Sequence, residues 1–443
     1  MSGITVGFLI FAVLLALLVV RVPIGIAMFA VGAGGYVYLS GGDTLPLLNS
    51  LKNLAYARLS NYDLIVIPLF LLMGQFATHG GLSRALFRFV TAFIGHYKGG
   101  VALASIGACA GFGAICGSSL ATAATMGQVA LPELKRYNYA GSLATGALAA
   151  GGTLGIMIPP SVPLVVYAIL TQESIGKLFV AAVIPGLIAV IGYMVVIKIL
   201  VTWKPALGPE GPRIEWPERF KALLEVFPGL LVFVVVIVGI YDGWANPTEA
   251  AAIGAAACGV LAVATGGMRT QGIIDSALGA AQATAMIFLV LLGADMLNTA
   301  LALSQMPVEL AAWVKNSQVP PLLIMVMILA IYVLLGCVMD SLAMILLTIP
   351  IFYPMVMGLD FWGLNPTDKS IWFGILALMV VEIGLVHPPV GMNVYIINRL
   401  AKDVPLRETF KGVIPFLISD FVRIVLLLLF PAISLVLVRM FHN

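Results

Sequence analysis

A short motif occurs twice in this 443-residue chain, and each copy lies inside an apolar stretch. The first copy reads GIMIPPSVPLVVY over residues 155–167, and the second reads GLVHPPVGMNVY over residues 384–395. Two adjacent prolines end a helix, because proline lacks an amide donor and clashes with the preceding turn. A helix broken at membrane depth is tolerated where its freed backbone groups line a cavity or bind an ion. The duplicated motif therefore predicts two broken helices that share one polar site.

Composition places the chain in a membrane. Hydrophobic residues make up 61% of the chain and charged residues only 10%, and apolar runs of membrane-spanning length recur from end to end. The net charge of +3 is too small to indicate nucleic-acid binding. The four cysteines lack metal-ligand spacing. The first apolar run lacks a basic leader, so we expect a first span there rather than a cleaved signal peptide.

Two of the apolar runs are too short for full spans. They lie near residues 119–132 and 341–357, and each follows another apolar run across a turn of small or polar residues. We call these turns the first tip (residues 116–119) and the second tip (residues 336–341). The predicted fold is an all-α polytopic membrane protein with about ten transmembrane helices and two re-entrant hairpins. The segments 82–97 and 305–317 are expected to form amphipathic interfacial helices.

Matching positions in the same order relate the two halves of the chain. The pairs are Pro23 with Pro247, Gly74 with Gly293, Ser119 with Ser341, Pro132 with Pro354, and Pro159 with Pro388. Their nearly constant separation indicates an internal duplication, with chance similarity of apolar helices as the alternative. We predict a first repeat over residues 1–221 (scaffold about 1–80, hairpin and broken helix about 99–171) and a second over 222–443 (scaffold about 226–266, hairpin and broken helix about 319–401).

Cations indicate the orientation of the chain. An odd number of crossings in each repeat would invert the second copy relative to the first, and the cation-rich loops would then share one side. The positive-inside rule makes that side cytoplasmic. Lys52 and Arg58 are exceptions to this pattern. The two tips are therefore expected to approach from opposite faces of the membrane.

These tips and breaks are predicted to converge at mid-depth, where freed carbonyls and hydroxyls offer the hard oxygen ligands that a cation such as sodium needs. The predicted sodium ligands are Gly117, Ser119, Thr122, Thr153, Pro159, Gly336, Asp340, Ser341, Gly384 and Pro388. The predicted substrate contacts are Ser118, Ser161, His387 and Asn393. Almost no lysine or arginine lies at the predicted midplane, so a carboxylate would be met by helix dipoles, amides and hydroxyls.

Several acidic and basic side chains have two interpretations. Asp340 either serves the ion and the tip or simply caps the returning half-helix. Glu382 is expected to brace the second break through exposed amides, or else to reach a cation. Glu249 is expected to cap a helix. Asp295 has no assigned role beyond pairing with a neighbouring helix, and His387 is either a contact for substrate or protons or a satisfied interior residue.

Four motifs together resemble the large membrane subunit of tripartite ATP-independent periplasmic (TRAP) transporters. They are GSSLAT at 117–122, GTLGIMIPPS at 152–161, NPTEAAA at 246–252 and EIGLVHPPVGMN at 382–393. The resemblance covers essentially the whole chain. It implies sodium-coupled uptake of an organic acid across the bacterial inner membrane, by an elevator motion. It also implies two partners: a periplasmic substrate-binding protein (P subunit) and a small membrane subunit (Q), expected as a separate chain because the first repeat begins almost at Met1.

Other functional classes fit the sequence less well. A channel needs a continuous polar pore, whereas the polar groups cluster at two breaks and two tips. An enzyme needs a nucleophile with a base or two facing carboxylates, and the sequence offers only distant pairs. Neither an organic cofactor nor a metal other than sodium is expected, and membrane lipids are expected to surround the helices. The closest alternative is a sodium/carboxylate symporter of related inverted-repeat design that works without a binding protein.

Overall fold

The computed structural model describes residues 3–317, 319–337 and 339–441. Over these ranges the chain forms twenty α-helices and two short 3-10 helices, Tyr62–Ile65 and Pro205–Leu207. In the first half the α-helices are α1 (Gly3–Val19), α2 (Ile24–Leu39), α3 (Leu45–Leu59), α4 (Val66–His79), α5 (Leu82–Ile94), α6 (Gly100–Cys116), α7 (Ser119–Arg136), α8 (Gly141–Met157), α9 (Val162–Thr171) and α10 (Ile175–Trp203). In the second half they are α11 (Trp216–Tyr241), α12 (Pro247–Ala264), α13 (Thr270–Leu303), α14 (Met306–Asn316), α15 (Pro321–Gly336), α16 (Ser341–Met357), α17 (Pro366–Val386), α18 (Met392–Leu400), α19 (Leu406–Leu429) and α20 (Ala432–Phe441).

The all-helical prediction is confirmed, and eight segments of the described chain are long and apolar enough to cross a membrane. The sequence predicted about ten spans. The difference arises at α1 and α2, which are apolar but only 17 and 16 residues long. A helix of that length rises roughly 24–26 Å, which is less than the roughly 30 Å of a hydrocarbon core.

Both predicted hairpins and both predicted helix breaks are present. The first tip joins α6 to α7, and the second tip joins α15 to α16, although Val338 of the second tip lies outside the described residues. α8 ends before the diproline Pro159–Pro160, and α9 begins after it. α17 likewise ends before Pro388–Pro389, and α18 follows. We call the connecting residues 158–161 the first break and residues 387–391 the second break.

The matched sequence positions fall at matching places in the helix order. Pro23 precedes α2 and Pro247 opens α12, while Ser119 and Ser341 are the first residues of α7 and α16. Pro132 and Pro354 lie inside those same two helices. These positions align the order of elements in α1–α10 with that in α11–α20. In this alignment α3 and α4 together correspond to the single helix α13, and α10 corresponds to α19 and α20.

The helices pack in two groups. In one group α2 packs on α13 and α4 packs on α12, with α1 and α11 alongside. The other group contains both hairpins and both broken helices, where α8 contacts α6, α7 and α19, and α17 contacts α15 and α16. Helices α5 and α14, predicted as amphipathic segments, run between the groups: α5 contacts α11 and α6, and α14 contacts α1 and α16.

The broken helices form the centre of the second group. All of α17 from residue 368 to residue 386 is buried, as is all of α8 from residue 143 to residue 157. Helix ends elsewhere follow ordinary capping chemistry. Asn246 and Glu249 form a capping box at the start of α12, with each side chain accepting a hydrogen bond from the other's backbone N–H. The predicted capping role of Glu249 is confirmed.

Candidate functional site

The first tip is a tight turn whose second residue, Gly117, has a backbone conformation that favours glycine. Gly117 has φ of +64°, the left-handed region that residues with a Cβ rarely adopt, and its N–H donates to the Gly113 carbonyl at 2.8 Å. Ser118 follows in extended conformation, and its hydroxyl accepts a hydrogen bond from the Ala121 N–H at 3.4 Å. This serine cap starts α7, so the hairpin turns within two residues.

The first tip lies against the first break. A Cβ on Gly117 would stand 2.9 Å from the Pro160 carbonyl oxygen, so the two backbones nearly touch. A Cβ on Gly155, in the last turn of α8, would stand 2.4 Å from the Thr122 hydroxyl oxygen and 2.7 Å from the Ser118 carbonyl oxygen. Glycines thus bring polar atoms of the tip and the break into one small volume.

The second tip meets the second break in the same manner. A Cβ on Gly384 would stand 2.4 Å from the Cα of Gly336, so α17 and the end of α15 are in backbone contact. The Cys337 sulfur lies 3.5 Å from the Pro388 carbonyl oxygen and 3.6 Å from Nδ1 of His387. Asp340 stands at the N-cap position of α16, where its side chain makes no capping hydrogen bond.

Asn393 joins the two halves of the site. It follows the second break on α18, is fully buried, and its amide nitrogen donates to the Ala149 carbonyl on α8 at 3.3 Å. A Cβ on Gly152 would stand 3.0 Å from the same amide nitrogen. The residue after one break therefore packs on the helix that leads into the other break.

Three buried oxygens near these junctions have no hydrogen-bond partner in the described chain. They are the hydroxyls of Thr122 and Ser161 and Oδ1 of Asn393. A buried polar atom without a partner costs free energy comparable to a lost hydrogen bond, about 1–3 kcal/mol. Such atoms are available to coordinate a cation or to bind a polar solute.

Most of the remaining predicted site residues lie at these junctions, and one of them, Thr153, lies elsewhere on α8. Ser119 is buried at the start of α7, and Ser341 occupies the equivalent place in α16. Pro159 lies in the first break, whereas Pro388 is exposed and His387 partly exposed at the second. Thr153 differs from the prediction, because its hydroxyl donates to the Ala150 carbonyl and lies 3.1 Å from the Tyr193 hydroxyl, on another side of α8.

Beside Tyr193 lies a charged cluster that sequence reasoning missed. Asp420 and Arg423 of α19 are buried and form an ion pair at 2.9 Å. The signal was present as two opposite charges one helical turn apart inside an apolar run. Glu382 belongs to the same neighbourhood. The prediction that it braces the second break is wrong, because neither of its carboxylate oxygens accepts a hydrogen bond in the described chain.

A larger cavity lies between the two groups of helices. Its volume is about 1200 Å³, and Asn298 and Tyr353 are among its lining residues. On its wall the Arg58 guanidinium donates from two nitrogens to the two carboxylate oxygens of Asp295, which gives Asp295 the interhelical partner that the sequence left open. Arg58, an exception to the charge pattern predicted from the sequence, lies in α3. Burial at the cavity edge raises the pKa of Glu173 above its ordinary value.

A second cavity opens on the other side of the hairpins. It has a volume of about 920 Å³ between α4, α5 and α7, and its lining includes Arg84, Arg88 and Arg136. α7 and α16 hold equivalent places in the two halves of the chain, so each cavity borders the returning arm of one hairpin.

Two hairpins that meet two broken helices, inside a chain with many apolar spans, define a polytopic membrane transport protein. The chain belongs to the DctM component family of tripartite ATP-independent periplasmic transporters, whose family model matches residues 11–433. The resemblance predicted from the sequence motifs is thereby confirmed. The relatives are transporter permease subunits and not enzymes.

Three relatives show how far the similarity extends. The C4-dicarboxylate TRAP transporter large permease protein DctM of Pseudomonas aeruginosa is 36% identical, over 90% of this chain and 92% of the relative. The sialic acid TRAP transporter large permease protein SiaM of Vibrio cholerae is 30% identical, over 96% and 97%. The isethionate TRAP transporter permease protein DctMQ of Oleidesulfovibrio alaskensis is 31% identical, over 90% of this chain but only 61% of that protein.

A solved structure shares the fold. The crystal structure of the Alcanivorax borkumensis YdaH transporter superposes with a TM-score of 0.63, covering 86% of this chain and 88% of that one. The two sequences are 15% identical. At this level the likeness concerns the fold alone.

Proposed function

We propose that this large permease subunit takes up an organic acid, received from a periplasmic substrate-binding protein, by sodium-coupled secondary transport. The observation that carries the proposal is the meeting of two hairpin tips with two broken helices at the core of a DctM-family chain. Half-helix ends supply both amide dipoles and free carbonyls at such a junction. One site can then hold an anion and a cation together.

The oxygens at the first tip favour sodium as the coupling ion. α8 stops at Met157, so carbonyls of its last turn lack helical amide partners. The Thr122 and Ser161 hydroxyls add buried oxygens without hydrogen bonds. At the second tip Asp340 adds a carboxylate beside the start of α16. Neutral hard oxygens with a single nearby carboxylate suit a monovalent cation.

The substrate is an organic acid. Ser118 and Asn393 stand where the tips and breaks meet, and the start of α9 presents amide dipoles that favour an anion. Arg58 lines the larger cavity but is already paired with Asp295. The names of the relatives specify C4-dicarboxylate, sialic acid and isethionate, and these three anions define the panel to be tested.

The packing supports two inverted repeats. The contact of α2 with α13 has its counterpart in the contact of α12 with α4, and that of α18 with α7 in that of α9 with α16. Such exchange of partners between halves is expected of a pseudo-two-fold axis. With an odd number of crossings in each half, the axis lies in the membrane plane.

The packing also supports an elevator motion. The group with both hairpins meets the other group across cavities of about 1200 and about 920 Å³. Among the described residues, the most extensive direct contacts between the groups are those of α4 with α6 and of α13 with α16. We infer that the hairpin group slides while α5 and α14 act as connecting arms. A disulfide joining α13 to α16 should therefore stop uptake until it is reduced.

The partners are a periplasmic substrate-binding protein and a small membrane subunit. We propose that the small subunit is a separate chain. Two of the relatives are named large permease proteins, and this chain covers 92% and 97% of them. In the DctMQ relative the chain spans only 61% of the length. Membrane lipids surround the exposed apolar faces, and the proposed location is the bacterial inner membrane. Copurification of an untagged small subunit with the tagged chain tests the separate-chain proposal.

Reconstituted uptake tests the function. Liposomes would contain this chain and its small subunit, with the purified binding protein and a labelled anion from the panel added outside. The expected result is uptake that requires both external sodium and the binding protein. Equal uptake with potassium replacing sodium would contradict sodium coupling, and equal uptake of free substrate would favour a symporter that works without a binding protein. Glu218→Gln, an exposed substitution in α11, serves as the control.

A further inference from the structure

A third cavity lies between α4, α5, α11 and α12. Its volume is about 580 Å³, and the described residues that line it include no member of a tip or a break. α4 and α12 end beside it, at Gly80 and Thr265, and α11 passes it over residues 221–229, close to its own start. All three helices belong to segments that are long and apolar enough to span a membrane. The cavity therefore lies at one end of three spans, where lipid headgroups meet hydrocarbon.

Three cations and one carboxylate line this cavity. Arg84 and Arg88 belong to α5, where they also border the cavity of about 920 Å³, and Lys221 and Glu225 belong to α11. Nη1 of Arg88 lies 3.1 Å from Oε2 of Glu225. Arg84 and Lys221 are exposed, and neither has an ion-pair or hydrogen-bond partner among the described residues. Two unpaired positive charges on different helices thus border one cavity, and like charges repel unless an anion binds between them.

Much of the remaining wall is apolar. Leu82, Leu224 and Leu261 line the cavity from α5, α11 and α12. Exposed apolar side chains then continue along one face of α11, where Leu224 is 70%, Phe227 52% and Leu231 48% exposed. Their spacing of three and four residues puts them on the same side of the helix. The cavity is therefore charged at the end of the spans and continues into an apolar track that reaches the middle of α11.

We propose that this cavity binds an anionic phospholipid of the cytoplasmic leaflet, with its phosphate between Arg84 and Lys221 and an acyl chain along Leu224 and Leu231. The positive-inside rule predicts that this end of the spans faces the cytoplasm. Basic pockets between transmembrane helices on that side suit anionic headgroups. The proposal goes beyond transport, and it depends on neither the coupling ion nor the substrate.

The chemistry of the cavity distinguishes this ligand from its competitors. Free phosphate would leave the apolar track uncovered. A zwitterionic lipid would bring its own ammonium group beside two unpaired cations. An anionic phospholipid matches both parts of the wall, because its phosphate offsets the excess of cations and its chain covers the leucines. Since α5 packs on both α11 and α6, the bound phosphate would also hold this connecting helix to α11.

Native mass spectrometry of the complete transporter tests the binding. The complex of this chain with its small subunit would be titrated with phosphatidylglycerol, with phosphatidylcholine of identical acyl chains, and with inorganic phosphate. Phosphatidylglycerol should bind most tightly. Arg84→Gln with Lys221→Gln should weaken its binding about 30-fold, which corresponds to the roughly 2 kcal/mol that two basic side chains contribute near an anionic surface.

A matched control removes the same charge elsewhere. Arg399→Gln with Lys402→Gln neutralises two exposed cations that do not line the cavity, and this variant should bind phosphatidylglycerol like the wild type. Equal affinity of the wild type for the two lipids would overturn the proposal, as would equally tight binding of inorganic phosphate. Wild-type affinity in the Arg84 and Lys221 double variant would also overturn it, and this is the result expected if the small subunit fills the cavity.

Photocrosslinking locates the acyl chain. Phosphatidylglycerol with a diazirine in one acyl chain should label α11 around Leu224 to Leu231, and the double variant should lose this label. The lipid comparison in the wild type and the crosslink do not require a folded variant. Labelling spread evenly over the exposed apolar helices would contradict the proposed site.

Discussion

The contact between Gly384 and Gly336 makes the sharpest prediction. Replacing Gly384 by alanine puts a Cβ 2.4 Å from the Gly336 Cα and 2.5 Å from its carbonyl carbon. Ordinary van der Waals contact begins at 3.4 Å. Because the obstacle is backbone and not a side chain that can rotate, α17 and the second tip must separate by about 1 Å, the difference between 3.4 and 2.4 Å.

The magnitude follows from that displacement. Forcing an extra methyl into a packed interior costs about 1–3 kcal/mol. A shift of about 1 Å at a positioned binding group can reduce rates about 100-fold. Gly384→Ala should therefore unfold at a lower temperature than the wild type and lose about 99% of its uptake, because the second tip no longer meets the second break.

Uptake in proteoliposomes and thermal unfolding of the purified permease are the assays. Gly34→Ala in α2 is the matched control, because a Cβ there meets nothing within 4 Å. It should retain wild-type uptake. Wild-type uptake by Gly384→Ala would refute the reasoning that the backbone contact between α15 and α17 positions the site.

Three further predictions concern the ion, the cavity and the junction. Asp340→Asn or Ser119→Ala should weaken the stabilisation that sodium gives to the permease. For the wild type this stabilisation is about 2.7 kcal/mol when the sodium concentration is 100 times its Kd. Unchanged sodium dependence in both variants would remove these residues from the ion site. Arg58→Ala should destabilise the permease by about 1–3 kcal/mol, because it leaves the Asp295 carboxylate unpaired at 10% exposure. Adding Asp295→Ala should restore part of this loss of stability, measured by unfolding in denaturant. If the double variant instead loses the sum of the two single losses, the ion pair does not stabilise the fold. Asn393→Ala should cost about 1 kcal/mol through the hydrogen bond to α8 and raise the KM for uptake, whereas an unchanged KM would show that α18 does not contact substrate.

The elements of the site were predictable because their signals are local. A diproline ends a helix wherever it stands, so both breaks could be placed from the sequence. The tips followed from apolar runs too short to span a bilayer and from the Gly117–Ser118 turn chemistry. Likewise, Asn246 and Glu249 sit at the spacing of a capping box, which needs no distant partner.

Partnerships between distant helices were not predictable. The hydroxyl of Thr153 faces Tyr193 rather than the first tip, and a helix position alone does not reveal which neighbour packs on that face. Arg58 looked anomalous because Asp295, its partner, lies far along the chain. Arg423 was not predicted as part of a site because it lies in an apolar run, with its ion-pair partner Asp420 one helical turn away on the same helix.

The most direct test of the shared site is a pair of cryo-EM maps of the complete transporter, one in sodium with substrate and one in potassium without it. The account predicts density for a cation among Gly117, Thr122 and the first break, and substrate density beside Ser118 and Asn393, both lost in potassium. Substrate and cation density confined to the larger cavity lined by Asn298 and Tyr353, with the tips and breaks empty, would contradict it.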